Sequence, residues 1–345
     1  MPHSLSPAAR RSSGFTLVEL MVSMTIGLVI LLGMTMMFVS NTKGQAELEK
    51  SNRQIENGRY AIQILSDDIF NAGFYGEFDP SAMPDPAALP APCDVTLATL
   101  RAALPLPVQG QDDGVTDAPC LTDAQEDSDV LIIRRAETCL LGVGNCQPAG
   151  SGGPFFQASL CANSSELSSA DPAAHFALDT NIASLTRHKR DCTDTSAGTI
   201  ADKRRYVTHI YYVAKNHKPG DKIPTLMRAN LGGATSLSYT VEPMAEGIES
   251  LQFEYGLDTS GDGAPDLYTT APSSPSEWRD AVAIKVHLLS RNTEESRGAL
   301  ETKVFTLGLD SAGEPKRPVI TNRNFKRHVF STTVTIPNAA GRKTP

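Results

Sequence analysis

The clearest pattern in the chain lies near its start. From Phe15 to Val39 runs a 25-residue apolar stretch whose only ionisable side chain is Glu19, and as a helix it would extend about 37 Å, enough to cross a bilayer. Beyond Ser40 the pattern turns amphipathic. Leu48, Ile55, Ile62 and Ile69 recur at intervals of seven, with Leu65 and Ala72 between them, which is the spacing of one helix face. Glu47, Glu49, Lys50, Arg53, Glu56, Arg59 and Asp67 fall mostly on other faces, so the spacing predicts a single helix from about Phe15 to Asn71. Asn52 and Gly58 interrupt the stripe, which favours docking on the protein's own sheet over a free coiled coil.

Ala72-Gly73-Phe74-Tyr75-Gly76 reads as the helix exit, and the prolines between Pro80 and Pro107 suit an irregular connection. Strands follow. Val130 to Arg134 is a short apolar candidate and Val207 to Val213 a β-branched and aromatic one. Further on, Leu251, Phe253 and Tyr255 alternate with Gln252 and Glu254, and Val282, Ile284, Val286 and Leu288 alternate with Lys285 and His287, the pattern of half-buried antiparallel strands. A last strand is expected around Val329 to Ile336. The fold class is therefore α+β, a long N-terminal helix packed on an antiparallel β-sheet head, and not a βαβ fold. The sequence shows no internal repeat.

Composition changes this picture in two places. All six cysteines, Cys93, Cys120, Cys139, Cys146, Cys161 and Cys192, lie beyond the apolar run, and none forms a Cys-x-x-Cys pair. That points to disulfides in an oxidising compartment and not to zinc. Many pairings are open, Cys139 with Cys146 being the most local. Arg10 and Arg11 precede the apolar run, which by the positive-inside rule sends the cysteines to the side where disulfides form. The net charge is -8, and removal of residues 1–14 would take away two arginines and no acid, leaving -10. This balance argues against general nucleic-acid binding. Arg187-His188-Lys189-Arg190 and Lys203-Arg204-Arg205 read as solvated surface, with a DNA-binding patch as the alternative.

The segment Arg10-Arg11-Ser12-Ser13-Gly14-Phe15-Thr16-Leu17-Val18-Glu19-Leu20-Met21 closely resembles the class III signal of type IV prepilins. An ordinary secretory signal has a shorter apolar region followed by its cleavage site, whereas here the small residue comes first. The resemblance implies that prepilin peptidase cuts after Gly14, leaving Phe15 as an N-methylated first residue. Glycine suits that position because it leaves the backbone open to the peptidase. A carboxylate in a helix at membrane depth costs about 2.5–3.5 kcal/mol unless it is paired. For Glu19 the resemblance implies pairing with the Phe15 amine, on the same or a neighbouring subunit, to set the register of an incoming subunit. Unlike many major pilins, the chain has no proline later in this segment.

The runs Glu246-Gly247-Ile248-Glu249-Ser250-Leu251-Gln252-Phe253-Glu254-Tyr255-Gly256-Leu257-Asp258 and Trp278 through Ser290-Arg291 resemble the PilW family of minor pilins. On this reading residues 1–14 are a leader, 15–39 a transmembrane and polymerisation helix, 40–76 an amphipathic helix, 77–204 a disulfide-braced loop-rich part of the head, and 205–345 its antiparallel sheet region. The expected function is a minor pilin that helps initiate type IV pilus assembly, with the fibre tip as a candidate position, in support of pilus-dependent motility or adhesion. Its expected partners are prepilin peptidase, other minor pilins, the major pilin, the inner-membrane assembly platform and, before assembly, membrane lipid. Two alternatives stand beside it: a minor pseudopilin of a type II secretion system, and a tip-located module binding DNA or a surface ligand.

One loop carries candidate metal chemistry. Asp258, Ser260, Asp262 and Asp266 occupy the first, third, fifth and ninth positions of a segment with Gly263 at the sixth and the Ala264 carbonyl at the seventh. This matches an EF-hand-like calcium loop, except that position twelve is Thr269 and not glutamate. The alternative is a polar turn between strands. For catalysis there is no Gly-x-Ser-x-Gly, P-loop, His-Glu-x-x-His or dinucleotide fingerprint. His209 and His287 sit on expected strands and read as structural or surface histidines, so the chain is not expected to be an enzyme.

Overall fold

The computed structural model describes residues 14–114, 118–148, 150, 152–192, 198–233, 236–296 and 300–343. The leader residues Arg10, Arg11, Ser12 and Ser13 lie outside them. One helix, α1 (Leu17–Phe70), accounts for the whole predicted helical pattern. The chain divides into two compact units, up to Lys50 and from Ser51 onward.

In the first unit the helix is apolar on all sides, and every described side chain through Val39 is exposed. Its hydroxyls are absorbed by its own backbone: Ser23 donates to Leu20 O, Thr25 to Met21 O and Val22 O, and Thr35 to Leu31 O. A helix surrounded by hydrocarbon has no other source of acceptors.

In the second unit the buried face of α1 is Gln54, Gly58, Ala61, Leu65, Asp68 and Ile69. This differs from the expected stripe. Ile55 and Ile62 lie on its flanks and are half-buried, because the line of closest approach follows the smallest residues. A Cβ on Gly58 would stand 2.2 Å from Cε2 of Phe330, so the glycine that interrupts the apolar pattern is the point of tightest packing. The two polar members of the face are bonded: Gln54 Nε2 donates to Ser290 O at 3.0 Å, and Asp68 holds three partners described below.

After α1 come a short α2 (Leu97–Ala102) and a seven-stranded sheet of β1 (Val108–Gln111), β2 (Val130–Ala136), β3 (Phe155–Ala158), β4 (Phe176–Asp179), β5 (Arg204–Ala214), β6 (Thr225–Gly232) and β7 (Ser238–Glu246). The order β1-β2-β5-β3-β4 is extended by β6 on β5 and β7 on β6. A second sheet, ordered β11-β10-β8-β9, contains β8 (Ile248–Leu257), β9 (Leu267–Thr269), β10 (Ala281–Arg291) and β11 (Arg327–Thr335), with α3 (Pro275–Arg279) before β10 and α4 (Pro337–Ala340) after β11. All strand pairs among the described residues are antiparallel.

Both sheets turn one face toward α1, and Leu65, Ile69, Leu131, Tyr211, Phe253, Tyr255 and Trp278 share one core there. The opposite face of the first sheet is covered by residues from the helix exit through the cysteine-bearing segments. The second sheet departs from the half-buried expectation. Gln252 and Glu254 of β8 are as buried as their apolar neighbours. The reason is the long connection from β10 to β11, which lays Leu307 and Gly308 over them. Leu309 N donates to Glu254 Oε1 at 3.3 Å, and a Cβ on Gly308, whose φ is +71°, would fall 2.5 Å from that oxygen.

Candidate functional site

Gly14 and Phe15 precede the first turn of α1, Phe15 is 85% exposed, and a Cβ on Gly14 would meet nothing within 4 Å. Packing within this chain does not demand glycine there. Thr16 caps the helix. Its hydroxyl accepts from Glu19 N at 3.3 Å, while Glu19 Oε2 accepts from Thr16 N at 3.0 Å and from Thr16 Oγ1 at 2.8 Å. This reciprocal pair is a capping box. The four-residue signature Thr-x-x-Glu was present in the sequence and gives Glu19 a local partner that the family resemblance does not mention.

The six cysteines form three pairs in chain order: Cys93–Cys120, Cys139–Cys146 and Cys161–Cys192, with Cα separations of 5.7, 5.8 and 5.6 Å. Cys93 and Cys120 also pack against the apolar cluster on the outer face of β2 and β5.

In the loop after β8 the carboxylates turn inward on the backbone. Asp258 accepts from Gly261 N at 2.6 Å and Gly263 N at 2.8 Å, Asp262 from Ala264 N at 2.8 Å, and Asp266 from Thr259 N and Ser260 N at 2.7 and 2.8 Å. Ser260 Oγ reaches Asp258 Oδ1 at 3.4 Å. Lys343 donates to the Asp258 carbonyl at 3.0 Å, so a cation already lies against this turn. For Asp258, burial pushes upward but the Gly263 and Gly261 amides outweigh it and hold its carboxyl below the usual range.

A second acidic group carries no sequence signal, because its members come from separate places in the chain. Asp112 and Asp113, just after β1, meet Asp129, just before β2, with ligand oxygens within 4.8 Å of one another. Asp129 is 1% exposed and accepts from Asp113 N at 3.0 Å and Phe253 N at 2.7 Å. Burial pushes its carboxyl up to about 8 despite those amides, and the Asp112 and Asp113 charges add to the rise. Lys316 is paired with Asp113.

The basic clusters hold the head together. Arg204 donates to the carbonyls of Glu137 and Thr138, Lys203 to Ile182 O at 3.0 Å, Arg205 to Gln147 Oε1 at 2.5 Å and Arg187 to Phe176 O at 3.0 Å. The histidines are likewise engaged. His209 Nδ1 lies 2.5 Å from Asp68 Oδ2, and His287 Nδ1 lies 2.9 Å from Ser331 Oγ. Asp68 further accepts from Arg135 Nε at 2.8 Å and Tyr211 Oη at 2.9 Å. Near the Cys161–Cys192 pair, Glu166 bridges Ser159 and His188, which puts the carboxylate, not the imidazole, against the serine hydroxyl.

With this geometry in place, the comparisons separate the two ends of the chain. Residues 9–35 match the prokaryotic N-terminal methylation motif, and residues 210–338 match the model of type IV pilus-assembly protein W. The solved structure of the type IV-like pilin TTHA1219 from Thermus thermophilus aligns over 83% of this chain and 97% of its own, with a TM-score of 0.36 and 11% identity. No curated protein matches the chain. The motif and the exposed apolar helix define the class: a pilin-related protein held in the inner membrane by a single N-terminal span. More particularly, the head carries a PilW domain, the match to type IV pilus-assembly protein W running from within β5 to α4. All six cysteines lie outside both matches.

Proposed function

We propose that the chain is a minor pilin that takes part in initiating type IV pilus assembly. The observation that carries this reading is the presence, in one chain, of a methylation motif on an exposed apolar helix and a PilW domain in the head. Prepilin peptidase cuts after Gly14, and Phe15 becomes the methylated first residue. Its amine then lies one residue before the Thr16–Glu19 cap, and Glu19 exchanges the Thr16 bonds for that amine, its own or a neighbour's, as subunits come into register. The apolar helices of other minor pilins and of the major pilin provide the packing surface, and the assembly platform is the site of incorporation. The role is association, not catalysis.

Deletion of the gene, scored for surface pili with twitching and for type II secretion, tests the reading. Loss of pili with intact export is expected. Loss of export with normal pili would make the chain a pseudopilin. Mass analysis of the mature protein should find methylated Phe15 first, and a different first residue would overturn the processing step. Engagement of Arg204 and Arg205 with carbonyl oxygens favours assembly over DNA binding as the use of the head.

We also propose a structural calcium at Asp258, Ser260, Asp262, the Ala264 carbonyl and Asp266, where a cation would rigidify the turn after β8. Calcium should raise the unfolding midpoint of the protein, and Asp262→Ala should abolish the rise. A rise that survives Asp262→Ala but disappears in Asp129→Asn would move the ion to the other acidic group.

A further inference from the structure

Arg134, in the middle of β2, is 3% exposed. Its Nη2 donates to Gln109 Oε1 at 2.7 Å, and the amide of Gln109 is itself used by Pro90 O, so this partner is neutral. Nη1 has no partner. Among the described residues no carboxylate lies within salt-bridge distance of this guanidinium. An arginine cannot discharge itself by losing its proton, and an unpaired buried charge is strongly unfavourable.

The surroundings repeat the same imbalance. Among the described residues the hydroxyls of Tyr75, Tyr206 and Thr208 are also buried and make no well-formed hydrogen bond. Tyr75 and Tyr206 are both fully buried, stack with ring centroids 6.4 Å apart, and lie within electrostatic reach of Arg134. The Thr208 hydroxyl lies close to those of Tyr206 and Tyr239. A second guanidinium, Arg342, stands 6.0 Å from the centre of the Tyr75 ring, with its own charge met by Asp79 at 3.3 Å. Each of these groups has a hydrogen to donate, and the unbalanced charge among them is that of Arg134. Buried polar groups in folded proteins are nearly always satisfied, and a single acceptor carrying negative charge would satisfy this set.

We propose that the Arg134, Tyr75, Tyr206 and Thr208 side chains form an internal binding site for one small monovalent anion, chloride under ordinary conditions. The anion would take the place of the missing carboxylate, neutralising Arg134 while accepting from the hydroxyls around it. It would be enclosed between β2, β5 and the segment that follows α1, and so would be acquired as the head folds.

The test uses the full chain purified in a non-ionic detergent. Denaturant unfolding is followed by the fluorescence of Trp278, the only tryptophan, in sodium gluconate progressively replaced by sodium chloride at constant ionic strength. The expected result is a folded-to-unfolded ratio that rises about tenfold for each tenfold of chloride above the dissociation constant, with bromide replacing chloride. Arg134→Met should remove the dependence while remaining folded in gluconate, since it also removes the buried charge. If that variant does not fold, Tyr206→Phe, which keeps the ring and removes one donor, should weaken the dependence. Equal stability in gluconate and chloride overturns the proposal and leaves water as the occupant. A chloride effect unchanged in Tyr206→Phe, and in Arg134→Met where it folds, overturns it too.

Discussion

Gly58→Ala tests whether α1 is positioned by close approach or by its apolar stripe. In an exposed helix the change would stabilise by about 1 kcal/mol, because alanine loses less backbone freedom than glycine. Here the new methyl would lie 2.2, 2.7 and 2.8 Å from Cε2, Cδ2 and Cζ of Phe330, where carbon atoms ordinarily settle at about 3.5–4.0 Å. The ring must move by more than an ångström or the helix must lift, and overpacking of that kind costs about 1–3 kcal/mol. The variant should therefore be destabilised by up to about 2 kcal/mol, the difference of the two effects. In a Phe330→Ala background the obstruction is gone, and the same substitution should stabilise by about 1 kcal/mol. Urea unfolding of both backgrounds, read through Trp278 at unchanged slope, closes the double-mutant cycle with a coupling of about 1–3 kcal/mol. If Gly58→Ala gives the same change in both backgrounds, close approach to Phe330 does not set the helix position.

Two further predictions concern buried carboxyls. Burial would raise Asp68, but His209 and then Arg135 outweigh it and hold its carboxyl well below the usual range. Its contribution is thus present above the unfolded value near 3.8 and fades as pH falls below it. Asp68→Asn should lose about 3–5 kcal/mol at neutral pH by stranding Arg135, and should show a shallower acid loss than the wild type; equal acid slopes would contradict the assignment. Asp129 has the opposite sign. Its folded form keeps the proton up to about 8 while the unfolded chain releases it near 3.8, so stability should fall as pH rises between those values, by up to about 1.4 kcal/mol per unit. Asp129→Asn should flatten that part of the profile, and an unchanged slope between pH 5 and 8 would refute it.

The helix and most strands were legible because burial and backbone period coincide there. The run from Phe15 to Asn71 became α1, and the patterns at Val130, Val207, Leu251, Val282 and Val329 became β2, β5, β8, β10 and β11. Where sequence pattern and structure differ, the missing information is long-range. Gly58 reads as a flaw until Phe330 is placed opposite it. Gln252 and Glu254 read as solvent-facing until Leu307 and Gly308 are laid over them. The Thr16–Glu19 box is local and readable, because Thr-x-x-Glu is a capping signature in its own right. The group of Asp112, Asp113 and Asp129 had no signal at all, since only the pairing of β1 with β2 brings its members together.

The attachments of α1 within the second unit also bear on tension. A pull arriving along the helix meets, in order, the Gln54 bond to Ser290 O, the Asn57 bond to Glu246 O, the Gly58 contact with Phe330, and the Asp68 bonds to Arg135, His209 and Tyr211. These anchors lie on β10, β7, β11, β2 and β5, strands of both sheets. Load is therefore shared in parallel across the head, and no single strand has to peel away first for the others to be loaded.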